Sequence, residues 1–498
     1  MNLLEIGTVS QFSALRGFLA DAGYCEARIC EKLGLPSPEA LDIIALSESL
    51  KDKVAEANAT NTLIRLFLLG EFVAIAELES QFPESAWSAM NELGLVASDI
   101  SDNKRCFASV ALYPVGPLLI VSDRWFNPDH TPRQSFPDIV YPAMTKSTRE
   151  FLRFLPTDAH GEFLELCAGS GVAALVSSAT AQHAWASDIT ARSTRFAQFN
   201  AALNALSNVT AVQGDLYSAV EGLTFDRIAA HPPYMPVLRP AEIYYDGGED
   251  GEQLTRRILE GLQEHLKPGG RLYCRTLGTD RENAPLEQRL RSWLGDAEGE
   301  FDIAVFVSKN LNPVRFALDS AVRWSAGQAE MNQWKALFDR LQVKEIVSGT
   351  VVVQRREAAR RVFTIRRSLA PNVDSSATEK TLLWETQLVS GHSLEEIFSR
   401  RPIASSRTEL MVRHRIMEGG FTPQDFTLTN DYPFLMDCKV QPWMAQMVVG
   451  CDGSKTVQDI YSQCLGAGWI DPNTPPREFL DLIGFFVSGG FLGVEEIK

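Results

Sequence analysis

A chain of 498 residues with 47 Lys+Arg against 63 Asp+Glu carries a formal net charge of −16. That balance argues against a broad phosphate-binding footprint and leaves room only for a local one. With 45% apolar and 22% charged residues the chain reads as globular rather than disordered or fibrous, and at about 150 residues per domain its length suggests roughly three domains. No stretch approaches the roughly 18 to 20 uncharged apolar residues of a bilayer span. Met1-Asn2-Leu3-Leu4-Glu5 lacks the basic and apolar regions of a secretory signal, so a soluble, cytoplasmic protein without membrane contact is expected. Cysteines 25, 30, 106, 167, 274, 438, 451 and 464 form no CxxC pair and cluster with no histidine. Neither a disulfide framework nor a metal site is expected.

Residues 1–125 read as a helical, winged-helix-like domain. Apolar positions recur at helical spacing through Gln11–Leu19 and Thr62–Leu69, a further helix is expected over Ser85–Val96, and a short alternating pair follows around Leu95–Val96 and Arg105–Leu112. Without a basic recognition helix, packing or protein binding is the favoured role. Residues 126–144 are loop-like, with Pro128, Pro132, Pro137 and Pro142 blocking ladders and helices, and form a linker or lid.

From 145 to 370 strands and helices alternate. Strands are expected at Phe163–Leu166, His183–Ser187, Val209–Gln213, Phe225–Ala230, Arg271–Thr276, Phe301–Val307 and Ile346–Gln354. The intervening helices begin near Val172, Ala191 and Thr255, the last running to Leu266 and closed by Lys267-Pro268-Gly269-Gly270. This is the pattern of an α/β, doubly wound, mainly parallel seven-stranded sheet. Arg355, Arg356, Arg360, Arg361, Arg366 and Arg367 form the single concentrated basic patch, read as solvated strands or, alternatively, a local nucleic-acid contact. After a polar connector at 372–378, residues 380–498 form a C-terminal domain with helices over Thr456–Leu465 and Arg477–Val487.

Three constellations carry the chemistry. Glu165-Leu166-Cys167-Ala168-Gly169-Ser170-Gly171 lies between a strand and a helix, where Gly169 and Gly171 let a cofactor approach the backbone. Asp188 ends the next strand, where a carboxylate serves a ribose diol or caps the helix that follows; Asp215 has the same two readings toward an adenine amino group or a turn. His231-Pro232-Pro233-Tyr234 ends the fourth strand in a stiff turn that holds a polar side chain and an aromatic ring at the reactive end of a cofactor.

The order of Gly-rich turn, Asp188, Asp215 and a Pro-Pro-Tyr turn resembles the class I S-adenosylmethionine-dependent methyltransferases. It is most similar to the group with an Asn-Pro-Pro-Tyr/Phe motif: glutamine N5-methyltransferases of the HemK type, adenine N6-methyltransferases and some ribosomal RNA guanine methyltransferases. Asp246-Gly247-Gly248-Glu249-Asp250-Gly251, running toward Lys267-Pro268-Gly269-Gly270, is especially like the HemK type. The resemblance covers about 145–300, extends more faintly over 60–125, and the last 70 residues are weakly similar to PqqD-like winged-helix domains, from about residue 430.

The resemblance implies a Rossmann-like fold and S-adenosyl-L-methionine bound by Glu165, Cys167, Ala168, Gly169, Gly171, Asp188, Ile189, Asp215, Leu216 and His231. It places catalysis on His231, Pro232, Pro233 and Tyr234, with Tyr234 walling the acceptor and Cys167 a small packed side chain. The chain departs from the family in carrying His231 where Asn is usual. A neutral imidazole offers one donor and one acceptor and takes a proton near neutral pH, so a hydroxyl, carboxyl or amine acceptor enters consideration beside the amide. The resulting expectation is methyl transfer to a nitrogen or oxygen of a protein, peptide or small molecule. The alternatives are an RNA/DNA base N-methyltransferase and a non-catalytic S-adenosylmethionine-binding module. A nicotinamide dehydrogenase, motivated by Gly169-x-Gly171-x-x-Ala174, gives the Pro-Pro-Tyr turn no role.

Overall fold

The computed structural model describes residues 4–494 other than 45, 47, 126, 129–136, 324–326 and 391–393. Much of the expected linker or lid, 129–136, therefore lies outside the described residues, as does the segment 1–3. The chain divides into two compact units, Met1–Gly278 and Thr279–Lys498.

In the first unit, continuous burial of Phe163-Leu164-Glu165-Leu166 marks a strand covered on both faces, as a parallel sheet requires. Five strands form that sheet: His160–Leu166 (β1), Ala181–Asp188 (β2), Val209–Gln213 (β3), Phe225–Ala230 (β4) and Leu266–Arg281 (β5). They pair in parallel in the order β5-β4-β1-β2-β3. Helix α1, Val172–Ser177, links β1 to β2, and α2, Ala191–Leu203, links β2 to β3. The chain thus winds one way from β1 through β3 and the other way through β4 and β5. The crevice outside the carboxyl ends of β1 and β4 is the switch point where ligands bind in such sheets.

Helix α3, Gln253–Glu260, is shorter than expected, and a separate turn, Leu262–His265, follows it. Leu266 pairs with Phe225 in the parallel ladder, so Lys267-Pro268-Gly269-Gly270 belongs to β5 rather than to a helix stop. Likewise Thr62–Leu69 is divided between a short α-helix, Ala59–Leu63, and a π-helical turn, Ile64–Leu68. The helix expected over Ser85–Val96 ends at Glu92, because Val96 pairs with Ala108 in a three-stranded sheet.

The N-terminal helices share a hydrophobic core with this α/β layer, extending from Leu4 to Leu203. Phe12 and Phe199 meet edge to face with ring centroids 5.2 Å apart. The Asn200 carboxamide accepts from the Val121 N–H at 2.8 Å and donates to the Val121 carbonyl at 3.0 Å. Arg16 Nη1 donates to the Leu203 carbonyl at 2.9 Å, closing the C-terminal end of α2.

The second unit contains Phe301–Leu311 (β6) and Val343–Arg355 (β7), an antiparallel pair, and Thr364–Ser368 (β8), which runs parallel to β6. All seven expected strands are present, and β8 is an eighth, in the arginine cluster where the sequence suggests solvated strands. Four of the six arginines of that cluster pair with carboxylates. Arg355 pairs with Glu300 at 2.8 Å, Arg360 with the fully buried Asp302, and Arg366 with Asp280 at 2.8 Å and Glu287 at 3.3 Å. Arg367 reaches Glu385 at 3.5 Å.

Beyond it, a three-stranded antiparallel sheet of Thr408–Met417, Gly420–Asn430 and Met436–Val440 accompanies the helices Pro442–Val449, Val457–Gly466 and Pro476–Ser488. The middle helix opens with a capping box between Thr456 and Asp459. The long hairpin escaped the sequence reading because its first strand is almost entirely exposed, adjacent Leu410 and Met411 included, so no in–out alternation marks it. Among the described residues, no helix is long and apolar enough to cross a membrane.

Candidate active site

The turn after β1 alternates into left-handed backbone at Cys167, Gly169 and Gly171, with φ of 54°, 54° and 77°. Gly171 is both the N-cap of α1 and a packing point: a Cβ there would lie 2.9 Å from Ala197 Cβ on α2. Gly171→Ala therefore combines a left-handed alanine with overpacking, and should cost about 2–4 kcal/mol in urea unfolding. Gly169 is different, since a Cβ there would meet nothing within 4 Å. The turn faces open space at that residue. Ala168 is buried and its N–H donates to the Ser187 carbonyl at 3.1 Å, tying the turn to β2.

Glu165 lies beneath this turn, 3% exposed, and its Oε2 accepts from the Ala174 N–H at 2.8 Å in the first turn of α1. Burial outweighs the hydrogen bonds from Ala174 and Ala173 and pushes its carboxyl up to about 8. In an unfolded chain the same group has its ordinary value of 4.5. Its contribution to stability is therefore complete below 4.5 and is lost as the pH rises through about 8. Glu165→Gln keeps the carbonyl that caps α1 and removes the ionisation. Its urea-unfolding free energy should fall less between pH 5 and pH 9 than that of the natural chain.

At the end of β2, Asp188 receives three protein donors. Its Oδ2 accepts from the Gly169 N–H at 2.9 Å, and its Oδ1 from the Thr190 N–H at 3.0 Å and the Thr190 hydroxyl at 3.1 Å. The cap of α2 is Thr190, whose hydroxyl accepts from the Ser193 N–H at 3.0 Å. Asp188 is thus clamped between the Gly-rich turn and the helix entry, with about one acceptor site left over, on Oδ2. Ile189 beside it is 48% exposed, an apolar side chain available to cover a planar ligand.

The turn after β3 is held by the Ser187 hydroxyl, which donates to the Leu216 carbonyl at 3.0 Å; Leu216 itself is buried. Asp215 is half exposed and accepts from Arg257 Nη2 on α3 at 2.8 Å. Arg257 lies about 40 positions further along the chain, and nothing in the spacing of the motifs pointed to it.

The turn after β4 brings in another unforeseen residue. Ser147, on the helix Lys146–Leu152 capped by Thr145, places its Oγ 2.7 Å from the Tyr234 hydroxyl and 3.2 Å from His231 Nε2. The His231 and Tyr234 rings are nearly parallel, 14° apart with centroids at 5.5 Å, and Phe151 packs against His231 at 5.2 Å. Pro232 is buried, whereas His231, Pro233 and Tyr234 are half-buried. Desolvation, with Arg275 nearby, lowers the imidazole to about 3, so the ring is neutral at physiological pH. Arg275 is itself buried and paired with Glu150 at 2.9 Å.

The Asp246–Gly251 segment has a structural task here. The Gly247 N–H donates to the Met235 carbonyl at 2.9 Å, and a Cβ on Gly247 would lie 2.7 Å from the Tyr234 carbonyl carbon. The Asp246 carboxylate accepts from the Gly248 and Ala241 N–H groups at 2.9 and 3.0 Å, holding the loop against the Pro-Pro-Tyr turn. Burial pushes the Cys167 thiol well above its ordinary range. It is kept protonated, which favours its reading as a packed side chain.

The sheet register assembles these pieces. Leu166 pairs with both Ser187 and Ala230, and Asp188 pairs with Gln213. The turns bearing Gly169, Asp188, Asp215 and His231 therefore all leave the same end of neighbouring strands.

Residues 143–298 match the family model described as Methyltransferase small domain. Among curated relatives, the ribosomal protein uL3 glutamine methyltransferase of Bradyrhizobium diazoefficiens is 34% identical over 154 residues, 28% of this chain and 48% of that protein. The release factor glutamine methyltransferase of Moorella thermoacetica is 35% identical over 111 residues, 20% of this chain and 39% of that protein. That of Thermodesulfovibrio yellowstonii is 29% identical over 163 residues, 30% of this chain and 58% of its own length. The chain thus spans about half the length of the curated relatives it matches.

Proposed function

We propose that the chain is an S-adenosylmethionine-dependent methyltransferase acting on a nitrogen or oxygen of a protein, peptide or small-molecule acceptor held at the His231–Tyr234 turn. The observation that carries this reading is the pairing of Leu166 with Ala230, which sets the Gly-rich turn and the Pro-Pro-Tyr turn side by side at the switch point. The family match over 143–298 supports it.

The residues present fit the cofactor. Open space adjoins Gly169, the fixed Asp188 carboxylate suits a ribose hydroxyl, exposed Ile189 suits the face of a purine, and the half-exposed Asp215, paired with Arg257, suits an amino group. S-adenosylmethionine supplies a methyl group already activated on a sulfonium. What remains for the chain is alignment and exclusion of water. The Pro-Pro-Tyr turn, locked by Gly247 and Asp246, suits alignment.

The relatives are glutamine methyltransferases of a ribosomal protein or of a release factor, which favours a protein acceptor here. A nucleic-acid acceptor is disfavoured by the carboxylate partners of Arg355, Arg360, Arg366 and Arg367. The test is incubation of the full chain with methyl-labelled S-adenosylmethionine and a bacterial lysate, with label followed into protease-sensitive, RNase-sensitive and small-molecule fractions. Protease-sensitive label is the expected result. RNase-sensitive label would replace the protein acceptor by RNA, and cofactor binding without any label would favour a binding module.

A further inference from the structure

Ser147, Tyr234 and His231 form a three-member hydrogen-bond chain whose polarity follows from acid strength. The Tyr234 phenol is a stronger acid than the Ser147 alcohol, and an imidazole nitrogen is a better acceptor than a phenol oxygen. On that ranking Tyr234 donates to Ser147 Oγ across the short 2.7 Å contact, and the Ser147 O–H donates to His231 Nε2 across 3.2 Å. The reverse polarity would aim the serine proton at the poorer acceptor. A neutral imidazole has a single N–H. With Nε2 accepting, that hydrogen is on Nδ1, which hydrogen-bonds to none of the described residues and is not among the buried unsatisfied atoms.

We propose that Ser147 is a positioning residue that holds His231 as an N–H donor at Nδ1, and that the methyl acceptor at this site is accordingly a carboxylate. The second part rests on the methyltransferase reading above. An attacking amide or amine nitrogen needs acceptors for its own N–H groups, which Nδ1–H does not supply, whereas a carboxylate offers that N–H a lone pair on one oxygen and attacks with the other. The desolvated ring beside the Arg275–Glu150 pair is also a weak base, ill suited to removing a proton from a hydroxyl or an amine. A carboxylate needs no deprotonation at the working pH. One of its oxygens accepts from Nδ1–H, while the other forms the new C–O bond to the methyl carbon as the C–S bond breaks. The electron pair of that bond passes to sulfur, neutralising the sulfonium, and the product is a methyl ester.

Two measurements on the full chain separate this inference from the reading it rests on. In protein labelled with ¹⁵N-histidine at pH 7, the His231 ring, assigned by loss of its signals in His231→Ala, should show a protonated Nδ1 and an unprotonated Nε2. Ser147→Ala should shift it toward Nε2–H, and Ser147→Thr, which keeps the hydroxyl, should restore the natural pattern. An Nε2–H ring in the natural chain, or no change in Ser147→Ala, overturns the positioning role without reference to activity. If Ser147→Ala does not fold, the tautomer of the natural chain decides.

For the acceptor, label transferred by the natural chain should be released as methanol by mild alkali. Base-stable label, as from N-methyl or methyl ether products, leaves methyl transfer standing and overturns the carboxylate. No incorporated label removes both. Ser147→Ala should lower kcat about 10-fold to 100-fold with the KM for S-adenosylmethionine unchanged, and Ser147→Thr should recover most of the loss.

Discussion

His231→Ala should lower methyl transfer by about 100-fold or more, with binding of S-adenosylmethionine still measurable. The substitution removes the one ring that contacts both Ser147 and Tyr234 at the end of β4, and with it the packing of Phe151 against the turn. The proposed cofactor anchors, the Gly169 turn and Asp188, are held by hydrogen bonds that do not pass through His231. Calorimetric cofactor titration alongside single-turnover methylation separates the two effects. Loss of both together would mean that His231 shapes the cofactor pocket rather than the acceptor.

The same ring has a pH signature. Its value in the unfolded chain is the ordinary 6.5 and in the folded chain about 3, so between these limits the unfolded state binds a proton that the folded state refuses. The associated stability is present above 6.5 and is lost as the pH falls through about 3, with a slope of at most about 1.4 kcal/mol per pH unit. In His231→Ala that part of the acid sensitivity disappears, which urea unfolding at pH 7 and pH 5 will register. Activity of the natural chain should show no inflection near 6.5 from this residue.

Arg360→Ala has the largest expected effect on stability, a loss of about 3–5 kcal/mol. Asp302 on β6 is fully buried and Arg360 nearly so; besides Arg360, the Asp302 carboxylate accepts from the Phe363 N–H at 3.1 Å. Removing the guanidinium leaves a desolvated anion with too few donors. Removing both charges in Arg360→Met/Asp302→Asn should recover much of the loss, because a buried pair gains little over neutral groups of similar volume. Chemical denaturation of the natural chain and the two variants checks this. A change in nucleic-acid affinity in Arg360→Ala without a change in stability would instead return the arginine cluster to a binding role.

These arginines show where local reading stops. Six basic residues in thirteen positions, 355–367, looked like a patch in the sequence. The partners of Arg355, Arg360 and Arg366 (Glu300, Asp302, Asp280 and Glu287) lie on earlier segments, and these charges distant along the chain neutralise them only once β6, β7 and β8 pair. The hairpin from Thr408 to Asn430 was missed for the opposite reason: an exposed strand has no buried face to impose a period of two.

What the sequence by itself determined is everything that depends on neighbours along the chain. The apolar runs specify the seven strands. The Gly169–Gly171 turn follows from the lack of a Cβ, and the stiffness at Pro232 and Pro233 from ring closure. The tertiary structure alone decided which side chains meet: Ser147 with His231 and Tyr234, Arg257 with Asp215, Gly247 with the Tyr234 backbone. These contacts join residues 13 to 87 positions apart. Their proximity comes from sheet register and helix packing, to which no local propensity contributes. For the same reason the protonation of His231 was open in the sequence: a histidine's charge state is set by how much water its folded surroundings leave it.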